Sequence, residues 1–282
     1  MTTTPSTFDG IIDAWAQPAD PHFLQHVPEA ARLTKLSGSA KLVGREVTVE
    51  QTVEMMDRAG IQTVMLCAWH RPGKWVITND EVAAIVRGYP GRFVGVAAVN
   101  LEKPLEAVRE LERAVRELGF KALRVLPWLW NRPPNDRFYF PLYVRCIELD
   151  IAFCTQVGHT GPLMPSEPGR PIPYLDDVAL TFPELRIVGG HVGYPWTDEM
   201  IALAWKYENV YIDTSAHLPR YYPPQILHFM KTYGKEKVLF GTNFPMLTFE
   251  ACAAQARALD LPEAVRRLFF RENARRVFKL EA

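Results

Sequence analysis

Two histidines stand where short apolar runs give way to glycine-rich turns: His159 in VGHTG and His191 in GGHVGYPW. Imidazole is the side chain that gains or loses a proton near neutral pH without perturbation, so both are candidate acids or bases. Asn243 in GTNFP offers a carboxamide that could hold a substrate carbonyl or hydroxyl, and Tyr194 a phenol that could donate a proton or a hydrogen bond. Arg124 in ALRVLP carries a planar guanidinium suited to a carboxylate. Trp15 in DAWAQ, with Trp69, Trp128 and Trp196, would supply a dry aromatic wall, while Gln17 and, from the rim, His70 could touch substrate. Each has a structural competitor. A strand-end histidine can be a satisfied core group, Arg124 can pair an internal carboxylate, and Asp213 can anchor His191 or the backbone. His70 and Arg71 can simply belong to a solvated loop. His22, His26, His217 and His228 show no partner spacing and read as surface or capping groups.

The elements that must position these residues alternate along the chain. Eight short β-branched or apolar runs, at 10–14, 61–69, 92–100, 120–127, 151–158, 185–193, 210–216 and 238–245, are separated by stretches with helical spacing. The helical stretches cover 48–59, 79–89, 105–118, 137–149, 175–182, 197–207 and 223–233, and a last one, 249–278, breaks near Pro262. VMLCAW and RIVGG are apolar throughout, as strands of a parallel sheet covered on both faces are. Eight βα units predict one α/β domain over 1–282, a single (β/α)8 TIM barrel, whose active site lies at the C-terminal strand ends. The first crossover, 17–50, is the longest and contains Pro18, Pro21 and Pro28, so it reads as a lid or rim.

Along nearly the whole chain, IDAWAQ, GFKALRVLP, VGHTG, GGHVGYPW, VYIDTSA, GTNFP and ENARRVFKL together resemble the amidohydrolase-related (amidohydrolase 2) family of the amidohydrolase superfamily. That family includes decarboxylases, lactonases and related hydrolases. The resemblance implies a His-x-His pair ending strand one, histidines ending strands five and six, and an aspartate ending strand eight that binds a metal or its water. Here His159 and His191 hold the middle positions, but Trp15 and Gln17 replace the pair and Asn243 replaces the aspartate. An indole has no free lone pair and carboxamides are poor zinc ligands, so the sequence predicts no bound metal and no cofactor, with zinc or another divalent ion disfavoured. Asn243 also cannot serve as the base that activates water.

Composition closes off other classes. Hydrophobic residues make up 48% of the 282, enough for a large core, and 32 basic residues balance 32 acidic ones. With no net charge, neither nucleic acid nor a membrane surface is an expected partner. Positions 1–10 lack a leader pattern, and no run approaches a membrane span, which predicts a cytoplasmic protein. No glycine-rich phosphate loop follows any strand. Cys67, Cys146, Cys154 and Cys252 lie in apolar runs and read as reduced core thiols. The leading expectation is hydrolysis of an ester, lactone or amide in a small carboxylated, partly aromatic or unsaturated substrate, with His159, His191 and Asn243 catalytic. Arg124, Trp15, Gln17, Tyr194, Trp128 and His70 would bind that substrate. Decarboxylation or another lyase reaction is the second reading, and a non-catalytic barrel binding a small ligand or partner subunit the third. A homodimer is the candidate assembly.

Overall fold

The computed structural model describes residues 10–37 and 39–281; the opening segment 1–9, read above for a leader, lies outside the described residues. Eight parallel strands form one sheet: β1 (Ile11–Ala16), β2 (Ile61–Cys67), β5 (Phe93–Ala97), β6 (Ala122–Val125), β7 (Ala152–Gln156), β8 (Ile187–Gly190), β9 (Val210–Asp213) and β10 (Val238–Leu239), paired in that order. A separate antiparallel hairpin, β3 (Trp69–Arg71) and β4 (Lys74–Ile77), follows β2. The sheet closes on itself across β1 and the β10 loop. The Ala14 amide donates to the Phe240 carbonyl at 2.8 Å, the Asn243 amide to the Trp15 carbonyl at 2.7 Å, and the Gln17 amide to the Phe244 carbonyl at 3.0 Å. The expected barrel is therefore present, with all eight strands in sequence order.

Thirteen helices are described: α1 (Phe23–His26), α2 (Ala31–Ser37), α3 (Val49–Ala59), α4 (Asn79–Gly88), α5 (Pro104–Arg116), α6 (Pro127–Trp130), α7 (Phe140–Glu148), α8 (Asp176–Thr181), α9 (Thr197–Lys206), α10 (Pro224–Lys231), α11 (Phe249–Arg257), α12 (Glu263–Arg267) and α13 (Asn273–Phe278). Their ends follow capping chemistry. Thr48 and Gln51 form a capping box at the start of α3, Thr78 and Glu81 another at α4, and Gly60 ends α3 in the left-handed conformation.

Three details depart from the sequence reading. The strand expected over 238–245 pairs regularly only at Val238–Leu239, because Asn243 is left-handed (φ +67°) and Pro245 has no N–H to give. Trp69-His70-Arg71 is a strand of the β3–β4 hairpin, not the start of a loop, and Arg71 and Lys74 face each other across its turn. The run 120–127 ends early because Pro127 opens α6, which is suited to proline at its first position.

The segment between β1 and α3 covers the barrel mouth. It is held there by Arg71, whose guanidinium meets both carboxylate oxygens of Glu29 at 2.9 and 3.2 Å and donates to the His26 carbonyl. The Leu163 amide adds a bond to the Glu29 carbonyl at 2.9 Å. All four cysteines are buried and free. No helix among the described residues is long and apolar enough to cross a membrane.

Candidate functional site

At the C-terminal strand ends a cavity of about 140 Å³ opens under the covering segment. Its wall brings together Trp15 of β1 and Gln17 just after it, Trp69 at the start of β3, Trp128 of α6, His159 after β7, His191 and Tyr194 after β8, and Asn243 after β10. Phe23, Val27, Leu33 and Met246 roof it with apolar side chains. No aspartate or glutamate lines it among the described residues.

The indole of Trp15 forms the floor because β8 ends in two glycines. A Cβ on Gly190 would stand 2.8 Å from the Trp15 ring, so only glycine lets that ring lie against the strand. His191 packs edge-on to the same ring, 5.1 Å between centroids, and its Nδ1 lies 2.7 Å from the Ser215 hydroxyl. Its backbone is left-handed (φ +71°), which turns the chain sharply after β8. Burial, with the positive charge of Arg124 and the neighbouring His217 and His159, pushes the His191 imidazole well below its usual range, so it is neutral at working pH. His159 is more exposed; its ring stands edge-on to Tyr194 at 5.5 Å, and its amide donates to the Tyr194 carbonyl.

Two buried carboxyls lie below this layer. Asp13 accepts from the Trp15 and Thr242 amides at 3.0 and 2.9 Å and from the Thr242 hydroxyl, tying β1 to the β10 loop. Asp213 accepts from the Ser215 amide, and its other oxygen has no partner among the described residues. Burial raises both to about 7.

Arg124 and His70 are not where the sequence suggested. Arg124 is 3% exposed and does not line the cavity. Its guanidinium lies over the rings of Trp15 and Trp69, at 4.9 and 5.2 Å, and donates to Gln17 Oε1 at 3.2 Å, so the three side chains that do form the wall cover it. Strand alternation sends the side chain into the barrel but does not say how deep it stops. His70 is turned away from the cavity by the β3–β4 hairpin and stacks on Trp130 at 5.6 Å and edge-on to Trp75 at 4.5 Å. Trp196 also stands outside the wall.

Beyond the apolar roof, two polar lining residues escape the sequence reading. Gln156, at the end of β7, accepts from the Trp128 indole at 2.8 Å and donates to the His159 carbonyl at 3.2 Å, fixing both neighbours. His217 was read as a surface group, yet it faces the cavity, with Nδ1 3.3 Å from the Ser215 carbonyl and its imidazole lowered by burial. The left-handed turn at Ala216 (φ +63°) brings it there, and its place just past a strand end was the available signal.

Comparison with known proteins gives the frame. Residues 47–280 match the Amidohydro_2 (amidohydrolase) family. A 2-keto-4-carboxy-3-hexenedioate hydratase from a Sphingobium species is 27% identical over 247 residues, covering 71% of this chain and 70% of that one. A gamma-resorcylate decarboxylase from a Polaromonas species is 26% identical over 288 residues, covering 82% and 87%. Among solved structures, an uncharacterised TIM-barrel protein from Bordetella bronchiseptica superposes with a TM-score of 0.83 at 24% identity, covering 95% of this chain and 98% of that one. A 2,6-dihydroxybenzoate decarboxylase complexed with 2,6-dihydroxybenzoate gives 0.74 at 22%, covering 96% and 98%. A dihydroxybenzoic acid decarboxylase from a Polaromonas species, with bound manganese and the inhibitor 2-nitroresorcinol, gives 0.71 at 21%, covering 96% and 97%.

This last structure overturns the expectation of no cofactor, because a neighbour of the same fold does bind a metal. The donors of this chain nevertheless do not match such an ion. The Gln17 carbonyl is committed to Arg124, the Asn243 carbonyl to Gln17 and His191 Nδ1 to Ser215. Among the described residues no three His, Cys, Asp or Glu side chains are grouped to hold a metal. A (β/α)8 barrel with its histidines at the C-terminal strand ends and a family match over most of its length identifies the chain as a member of the Amidohydro_2 family of amidohydrolases.

Proposed function

We propose that the protein is a lyase that decarboxylates a small, planar, carboxylated aromatic or unsaturated acid. One observation carries this reading: the cavity joins three indoles and an apolar roof to neutral hydrogen-bonding groups, with no carboxylate on its wall among the described residues. Hydrolysis needs a base to take a proton from attacking water, and the strand-eight position that would hold it is the non-basic Asn243. Decarboxylation needs less. A carboxylate drawn out of water into an apolar cavity loses hydration that the departing neutral CO2 does not need. The named relatives, among them decarboxylases of dihydroxybenzoates, support this reading over hydrolysis.

In the proposed reaction a ring or vinylic carbon takes a proton, the C–C bond to the carboxylate breaks, and its electron pair returns to the carbon framework as CO2 leaves. Trp15 and Trp128 sandwich or abut the planar substrate, and Asn243, held by Gln17, orients its polar edge. His191, neutral and held by Ser215, hydrogen-bonds the substrate without taking a proton from it. His159 and Tyr194, at the open side of the cavity, pass from solvent to carbon the one proton that replaces CO2. The test is product analysis on dihydroxybenzoates, carboxylated muconate-type acids, aryl esters and lactones. Stoichiometric CO2 with the decarboxylated acid is expected; ester or lactone cleavage without CO2 would overturn the proposal.

A further inference from the structure

Arginine has donors and no acceptor, and that fact orients the polar wall of the cavity. Because Arg124 donates to Gln17 at 3.2 Å, the Gln17 atom facing it is Oε1. Its Nε2 must then point the other way, where the Phe244 carbonyl, a backbone group that cannot donate, accepts at 2.5 Å. The same Nε2 donates to Asn243 Oδ1 at 3.2 Å, so the Asn243 carboxamide is oriented in turn, with its nitrogen left for the cavity. The Asn243 backbone is fixed by its bond to the Trp15 carbonyl at 2.7 Å. Independently, the indole N–H of Trp69, a cavity-lining residue only 8% exposed, is buried with no acceptor among the described residues. A buried donor left unpaired is costly, and a ligand oxygen is the partner that relieves it.

Taking the cavity as the substrate site of the function proposed above, we infer that Arg124 and Gln17 are positioning residues that fix the Asn243 carboxamide with its N–H groups inward. Asn243 and Trp69 then bind an anionic oxygen and make the cavity select a carboxylate over the matching carboxamide. Arg124 acts through this chain and through its charge behind the wall; no carboxylate forms an ion pair with it among the described residues. A carboxamide oxygen can accept from both donors but is neutral, whereas a carboxylate oxygen accepts the same two bonds with charge assistance and with the Arg124 charge behind them.

The experiment compares binding of 2,6-dihydroxybenzoate and 2,6-dihydroxybenzamide to the full-length protein by calorimetry. The wild type should prefer the carboxylate by about tenfold or more, as the charge-assisted form of the same hydrogen bonds implies. Asn243→Asp, which replaces the inward donor with an acceptor, should abolish that preference, and Gln17→Glu, which cannot hold the Asn243 carbonyl, should reduce it. Trp69→Phe keeps an aromatic ring and removes the N–H, so it should weaken the carboxylate several-fold and the carboxamide less, narrowing the preference. It also keeps the test decisive should Asn243→Asp fail to fold. Absence of carboxylate binding, or a preference unchanged in Asn243→Asp and Trp69→Phe, overturns the inference. Selective carboxylate binding without CO2 release would overturn the decarboxylase reading alone, whereas CO2 release without that selectivity would overturn this inference alone.

Discussion

The two histidines of the cavity differ in what their loss would do. His191 is buried, hydrogen-bonded to Ser215 and packed on Trp15, so His191→Ala should remove activity and also cost about 1–3 kcal/mol of stability. His159 is more exposed, and His159→Ala should remove activity while shifting stability by no more than about 0.5 kcal/mol. Turnover together with denaturant melts separates the two; equal stability losses would contradict the packing described for His191. Both histidines were legible from their place after apolar runs. Arg124 shows the limit of that reading. The period of a strand tells which side a residue takes, but only packing revealed that two indoles and a carboxamide cover the guanidinium. His217 was hidden for a related reason, since its position depends on a left-handed turn at Ala216 that no spacing rule anticipates.

Among the elements, the covering segment and the β3–β4 hairpin work as a pair. Arg71 of the hairpin holds Glu29 by two hydrogen bonds at partly buried positions, and burial makes that contact stronger than an exposed pair. The Glu29 carboxyl is accordingly lowered, first by its hydrogen bond with Arg71. Glu29→Gln should loosen the segment, so that amide hydrogen exchange across α1 and α2 rises by tenfold or more while β1 and β2 stay protected. Unchanged exchange there would show that apolar packing alone holds the segment. At the end of β8, Gly190→Ala should displace the Trp15 ring and lower ligand affinity, because the added Cβ would stand 2.8 Å from it. A variant with wild-type affinity would show that the ring relaxes without harm. The barrel strands were readable because long apolar runs such as VMLCAW stand out from their surroundings. The hairpin was not, since three- and four-residue strands are too short to show a period.

For the whole molecule, the buried carboxyls set a pH dependence that composition does not reveal. Asp13 and Asp213 titrate near 7 in the folded protein against an ordinary value of 3.8. The folded state thus holds protons that the unfolded chain has already released. Their contribution is fully present below about pH 4, declines as pH rises to about 7 and is then level. His191 works in the opposite direction, since its lowered value makes the folded state lose stability as pH falls below 6.5. Asp213→Asn should remove one carboxyl contribution. Relative to wild type it should gain stability steadily between about pH 5 and 7, by on the order of a few kcal/mol across the window. Thermal melts over that range provide the check, and a constant offset would show that Asp213 is not raised. A balanced charge of 32 against 32 residues says nothing of this, because the effect comes from where two side chains are buried.

The indole wall also has a practical consequence. Three of the seven tryptophans, Trp15, Trp69 and Trp128, face one small cavity, and two of them lie against a guanidinium. Any ligand that enters displaces solvent from these rings and changes the field around them. Intrinsic fluorescence therefore makes the protein its own optical sensor, and unlabelled protein can be screened against candidate acids before any turnover assay exists.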